Sequence, residues 1–119
     1  MCAQEMATAR LYDLDVIYMV VNNGMLGTIR MHQERHHPDR TIATDLFNPD
    51  FVAYAAAFGI GGERVERTED FPAALDRARS AKGGYLIELV VDQQALTPTQ
   101  TLAQATAQGH AALAKKATS

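Results

Sequence analysis

The residues of this chain best suited to chemistry lie in one short stretch, Asn22-Asn23-Gly24-Met25-Leu26-Gly27-Thr28. Two side-chain amides offer neutral oxygen ligands, which hard cations such as Mg2+ accept alongside phosphate and water oxygens. Gly24 and Gly27 let the backbone approach a ligand closely, and a helix starting here would turn unpaired N–H groups toward an anion. A diphosphate held through Mg2+ is the chemistry this combination could perform. The same residues would also make an ordinary tight turn, because Asn and Gly both tolerate left-handed backbone. Taken alone, they leave both readings open.

Holding such a stretch requires a strand before it and a helix after it. The run DVIYMVVNNG is continuously apolar and rich in β-branched residues. It predicts a strand over 15–22 buried on both faces, as in parallel sheets sandwiched between helices. GMLGTIRMHQER returns to helical spacing through Leu26, Ile29 or Arg30, and Gln33. In open α/β sheets, ligands bind outside the carboxyl ends of the strands, where this asparagine pair would sit.

The rest of the chain continues the alternation. Residues 3–12 place Met6, Ala9 and Leu11 or Tyr12 on one helical face, and residues 35–47 read as a loop. Asn48 as N-cap, Pro49 at the first helical position and Asp50 in the first turn predict a helix through FVAYAAAF. Gly59 is placed to end it in the left-handed conformation. A short strand over 61–66 follows. Thr68 or Asp70 then caps a helix whose Phe71, Ala74, Leu75 and Ala78 share a face. Lys82-Gly83-Gly84 closes that helix, and YLIELVVD predicts a strand over 84–91. The expected fold is therefore three-layer α/β with a parallel sheet, one domain over 1–96. Residues 97–119 form an alanine-rich C-terminal helix or tail.

Composition narrows the function classes. Eleven Lys+Arg against fourteen Asp+Glu in 119 residues give a net charge of −3, which argues against a nucleic-acid binder. No apolar run approaches the about 20 residues needed to cross a bilayer, so no membrane partner is expected. A single cysteine, Cys2, excludes an internal disulfide and suits a reducing cytoplasm. It carries no catalytic context at a chain terminus, and Ser80 and Ser119 lack a nucleophile elbow. His32 and His36 stand one helical turn apart, as zinc ligands can, but no third ligand has a firm spacing. A solvated polar loop accounts for them and for neighbouring Glu34, His37 and Asp39. Arg64, Glu66, Arg67, Glu69 and Asp70 read as a charged surface.

Three segments together carry a family resemblance: EMATARLYDLDVIYMVVNNGMLGTIRMHQ, TDLFNPDFVAYAAAFGIGGERVERTEDFPAAL and YLIELVVDQQALTP. They resemble the C-terminal, pyrophosphate-binding domain of thiamine-diphosphate-dependent enzymes, in the acetolactate synthase, benzoylformate decarboxylase and pyruvate decarboxylase branch. The resemblance spans residues 3–100. It implies thiamine diphosphate and Mg2+ as cofactors, with NNGxxG closing the metal–diphosphate motif. By that correspondence Asn23 supplies a side-chain oxygen and Met25 a carbonyl oxygen to the metal. Backbone around Leu26 and Gly27 lies near the diphosphate and Asn22 shapes the turn, so that Asn22, Gly24, Leu26 and Gly27 are the expected cofactor-binding residues.

The sequence departs from the family in one respect. The family motif opens with Gly-Asp-Gly, whose Asp is a metal ligand, at a spacing that falls before Met1. Asp13 and Asp15 do not replace it, since they precede the strand at its opposite end. The activating glutamate and the usual substrate-pocket residues belong to other parts of the family's enzymes. The resemblance thus implies a truncated piece of an enzyme acting on 2-oxo acids, by carboligation or decarboxylation, and inactive alone. Two partners are expected: a second copy forming a homodimer, and the missing enzyme domains on another chain. A different class of function, a non-catalytic free-standing association domain, is the alternative.

Overall fold

The computed structural model describes residues 3–118. In chain order its elements are α1 (Glu5–Leu11), β1 (Ile17–Asn22), α2 (Gly27–His36), α3 (Phe51–Ala56) and β2 (Gly61–Val65). A 3-10 turn (Thr68–Asp70) leads into α4 (Phe71–Ser80), then β3 (Tyr85–Val90), β4 (Ala95–Thr97), β5 (Gln100–Thr101) and α5 (Leu102–Ala117). They form two compact units. The first takes the chain up to Asn22 and from Asn48 to Val90; the second takes Asn23–Phe47 and everything from Val91.

The first unit is an α/β/α arrangement on a parallel sheet of order β1-β3-β2. Side chains alternate across the sheet with the two-residue period of a strand. On one face Leu86 and Ile60 are buried with Met6 of α1 and Ala55 of α3, flanked by Tyr18 and Val20. On the other, Ile87 and Val65 pack against Ala74 and Ala78 of α4, flanked by Phe71 and Leu75. The expected face of α4 is the observed one. All three parallel strands lie where they are expected, each one or two residues shorter, but β1 is not buried on both faces, since Met19 and Val21 are exposed on the edge strand.

Two local expectations for this unit need correction. In α1, Met6 and Ala9 are buried, but Leu11 and Tyr12 are 76% and 68% exposed. The helix stops at Leu11, and Asp13 turns away with φ of 50°. In α3 the cap is Asp50, not Asn48: its carboxylate accepts the Ala53 N–H at 2.9 Å, and Pro49 lies outside the helix. Gly59 does end that segment with φ of 73°.

The second unit pairs α2 with α5, alongside an antiparallel β4–β5 hairpin. A bridge between Met25 and Asp45 folds the long loop back along the start of α2. Leu26, expected inside the helix, stands at its N-cap position and is 38% exposed; Ile29 is 48% exposed. The buried side chain of α2 is instead Glu34, whose carboxylate accepts the Asp39 N–H at 3.1 Å. The alanine-rich segment is helical. Thr101 and Gln104 form a reciprocal capping box at the start of α5, and Leu102, Ala105 and Gly109 are its buried positions. The expected boundary after residue 96 falls inside β4. Among the described residues no helix is long and apolar enough to cross a membrane.

Candidate functional site

Asn22 ends β1 and is held by a polar network within the first unit. Its Nδ2 donates to Glu88 Oε1 at 2.7 Å, and its Oδ1 accepts from Asn48 Nδ2 at 2.8 Å. Glu88 in turn accepts from Arg64 Nε at 2.8 Å, although the Glu88 side chain itself is 1% exposed. The carboxylate draws the Arg64 pKa upward, by hydrogen bonding first and by charge second. A buried carboxylate is tolerated only when paired and hydrogen-bonded, and Glu88 is both.

The other five candidate residues lie in the second unit. Asn23 Oδ1 accepts the Met25 N–H at 3.2 Å, a local turn that asparagine makes readily. Gly24 has φ of 66°, a conformation that favours glycine, and a Cβ there would stand 3.3 Å from the mobile end of the Gln93 side chain. The Met25–Asp45 bridge is closed by the Leu26 N–H on the Thr44 carbonyl (2.8 Å) and the Leu46 N–H on the Gly24 carbonyl (2.9 Å). The Met25 carbonyl takes no part in that pair. Leu26 has both backbone groups occupied, its carbonyl accepting the Arg30 N–H at 2.9 Å. Gly27 starts α2 beside Asn23, whose Nδ2 would be 3.0 Å from a Cβ at that position.

Asn23, Gly27, Thr28, Met31, Leu96 and Thr97 line a cleft of about 160 Å3. The cleft thus joins the Asn23 amide, whose Nδ2 lies toward Gly27 and whose Oδ1 accepts the Met25 N–H, to the first turn of a ten-residue helix. Those features fit the neutral part of a hard-cation and diphosphate donor set. A cluster of three His, Cys, Asp or Glu able to hold a metal is absent among the described residues. His32 and His36 stack with ring centroids 6.5 Å apart. Asp13 pairs with Arg10 at 3.3 Å. Asp15 binds the Gly83 N–H at 2.7 Å and Lys82 at 2.9 Å, which hold its carboxyl below the usual range. Cys2 and Ser119 lie outside the described residues.

Sequence reasoning missed Glu88 because a lone Glu inside YLIELVVD was absorbed into an apolar run. An acid within a strand buried on both faces is itself the signal, since it must find partners.

A parallel-sheet strand that runs into a glycine-rich turn and a helix is the kind of place where α/β domains bind ligands. The chain belongs to the family of thiamine pyrophosphate enzymes, C-terminal TPP binding domain, whose model matches residues 1–89. It is 34% identical over 94 residues to the acetolactate synthase isozyme 2 large subunit of Escherichia coli (strain K12), covering 78% of this chain and 17% of that protein. A probable chloroplastic acetolactate synthase 2 of Oryza sativa subsp. japonica is 37% identical over 101 residues, 76% of this chain and 15% of the relative. The mitochondrial acetolactate synthase of Schizosaccharomyces pombe is 35% identical over 94 residues, 79% and 14% respectively. The chain spans about one-sixth of the length of these relatives.

Proposed function

We propose that this chain supplies the diphosphate-gripping part of a thiamine diphosphate site in an acetolactate synthase-like enzyme that joins 2-oxo acids. The observation that carries the reading is Asn23 meeting Gly27 and Thr28 at the first turn of α2, in a chain of this family. Asn23 Oδ1 and the Met25 carbonyl would face Mg2+. The turn set by Asn22 and Gly24, and the backbone at Leu26 and Gly27, would hold the diphosphate. When bound, thiamine diphosphate supplies a carbon nucleophile and an electron sink. This chain's part is to bind and orient the diphosphate end. Its donors here are neutral, and hard cations depend on charged oxygens, so a carboxylate and the activating glutamate come from outside residues 1–119. A reducing cytoplasm and a homodimeric assembly complete the reading.

A chimera tests it. Residues 1–119 replace the matching segment of the Escherichia coli large subunit, and acetolactate formation is measured. Activity that Asn23→Ala reduces by about a hundredfold or more supports the reading, because a lost metal ligand weakens both binding and orientation. A chimera that folds and assembles without activity favours the association-domain alternative. In the isolated chain, Mn2+ with thiamine diphosphate at millimolar levels should broaden the NMR signals of Asn23 and Met25 first. Broadening confined to other residues counts against the assignment.

A further inference from the structure

We propose that Glu88 is a positioning residue for the asparagine turn, acting through Asn22; the inference rests on the function proposed above. The arrangement runs across all three parallel strands. Register sets Val20 of β1 and Arg64 of β2 beside Glu88 of the central β3. Two residues beyond Val20 on the same face, Asn22 reaches back to the same carboxylate. One Glu88 oxygen takes Arg64 Nε and the other takes Asn22 Nδ2.

The consequence is a fixed polarity. Because a carboxylate only accepts, Asn22 must turn its NH2 to Glu88 and its oxygen toward Asn48, which donates. The side chain at the last residue of β1 is thereby held in a single amide orientation immediately before Asn23. A glutamine at position 88 keeps the shape but can offer only one oxygen. With that oxygen on Arg64, its NH2 would meet the NH2 of Asn22. Either Asn22 flips, dragging Asn48 with it, or the contact opens.

The test uses Glu88→Gln in the full chain, read by side-chain amide NMR and residue-level hydrogen exchange without cofactor. The Asn22 NH2 signals should move, and exchange at Asn22, Asn23 and Met25 should quicken by about tenfold, the weight of one charge-assisted hydrogen bond. Adding Asn22→Asp restores every donor–acceptor pair, with only the bond between residues 88 and 22 reversed in polarity, and E88Q/N22D should regain the protection. If exchange at those residues changes no more than at Leu86 and Ile87, Glu88 serves stability alone and the proposal fails. Should E88Q not fold, Asn22→Ala decides: unchanged exchange at Asn23 and Met25 overturns it, and faster exchange supports it. A second arm adds Mn2+ and thiamine diphosphate. Loss of protection in E88Q with no broadening even in the parent chain would leave the positioning role intact and count against the cofactor reading. Unchanged protection with normal broadening would do the reverse.

Discussion

Gly109 of α5 lies directly against the last turn of α2, so close that a Cβ at 109 would be driven into the Glu34 carbonyl oxygen. The Arg35 carbonyl, at 3.1 Å from the same point, blocks the other side. Elsewhere in a helix, Gly to Ala gains about 1 kcal/mol, but forcing a methyl into a packed backbone contact costs about 1–3 kcal/mol. The obstacle here is main chain and cannot rotate aside. Gly109→Ala should therefore lower stability by about 1–2 kcal/mol, against helix propensity. Urea unfolding followed by circular dichroism measures it, and an unchanged or raised midpoint would refute the crossing.

A second prediction concerns pH. Glu63 accepts from Arg77 Nε at 2.8 Å and Nη2 at 2.6 Å, and from the Tyr85 hydroxyl at 3.0 Å. The Arg77 hydrogen bond, and less strongly that of Tyr85, holds the Glu63 carboxyl below its ordinary 4.5. Burial, then the Glu63 hydrogen bond, raises the Tyr85 phenol above its ordinary 10.0. A depressed acid stabilises the fold above its unfolded pKa and loses that contribution as pH falls through the folded value. A raised phenol stabilises below its unfolded pKa and loses the contribution as pH rises through the folded value. Glu63→Gln should flatten the acid limb of the stability profile, and Tyr85→Phe the alkaline limb. Thermal unfolding across a pH series reads both.

These two cases mark how much the sequence disclosed. The outer and central strands β1 and β3 and the α4 face were legible because their apolar residues are dense, whereas β2, Gly-Gly-Glu-Arg-Val, showed only through its place in the alternation. The Asn-Gly turn was legible because few residues suit left-handed backbone. Asn48 read as a cap for lack of any local sign that Asn22, far away in sequence, would claim its amide. Leu26 and Ile29 kept helical spacing without burial, since α2 buries Glu34 rather than an apolar stripe. The β4–β5 hairpin was not foreseen at all. Its strands are three and two residues long, too short to show alternation.

The start of α5 gives a third prediction. Thr101 Oγ1 accepts the Gln104 N–H at 3.2 Å, and Gln104 Oε1 accepts the Thr101 N–H at 2.8 Å. An alanine-rich helix with one buried leucine depends on such a cap more than a helix with a broad apolar face would. Thr101→Ala should cost about 1 kcal/mol and fray the first turn of α5. Chemical shifts of residues 102–105 report the fraying directly. Helical shifts that stay unchanged through those residues would show that packing, rather than the cap, starts the helix.

The last prediction follows from the order β1-β3-β2, which puts β1 at a sheet edge. On the face that α4 covers, β1 contributes only Ile17 to the packing, and its Met19 and Val21 remain 49% and 66% exposed. The same unit leaves Leu11, Tyr12 and Leu14 open to solvent. An edge strand with unpaired N–H and C=O groups and apolar side chains is a template for another chain, and such patches mark interfaces. Two-fold association is the commonest outcome. Light scattering over a dilution series should report twice the chain mass. Replacing Met19 and Val21 together by lysine should return a monomer, because charges on an edge oppose pairing, while the Tyr18 and Val20 side of β1 is untouched and the fold survives. Circular dichroism checks that survival. A parent chain that stays monomeric throughout the series would rule out this edge as the self-association surface, and a lysine variant that stays dimeric would move the interface elsewhere on the chain.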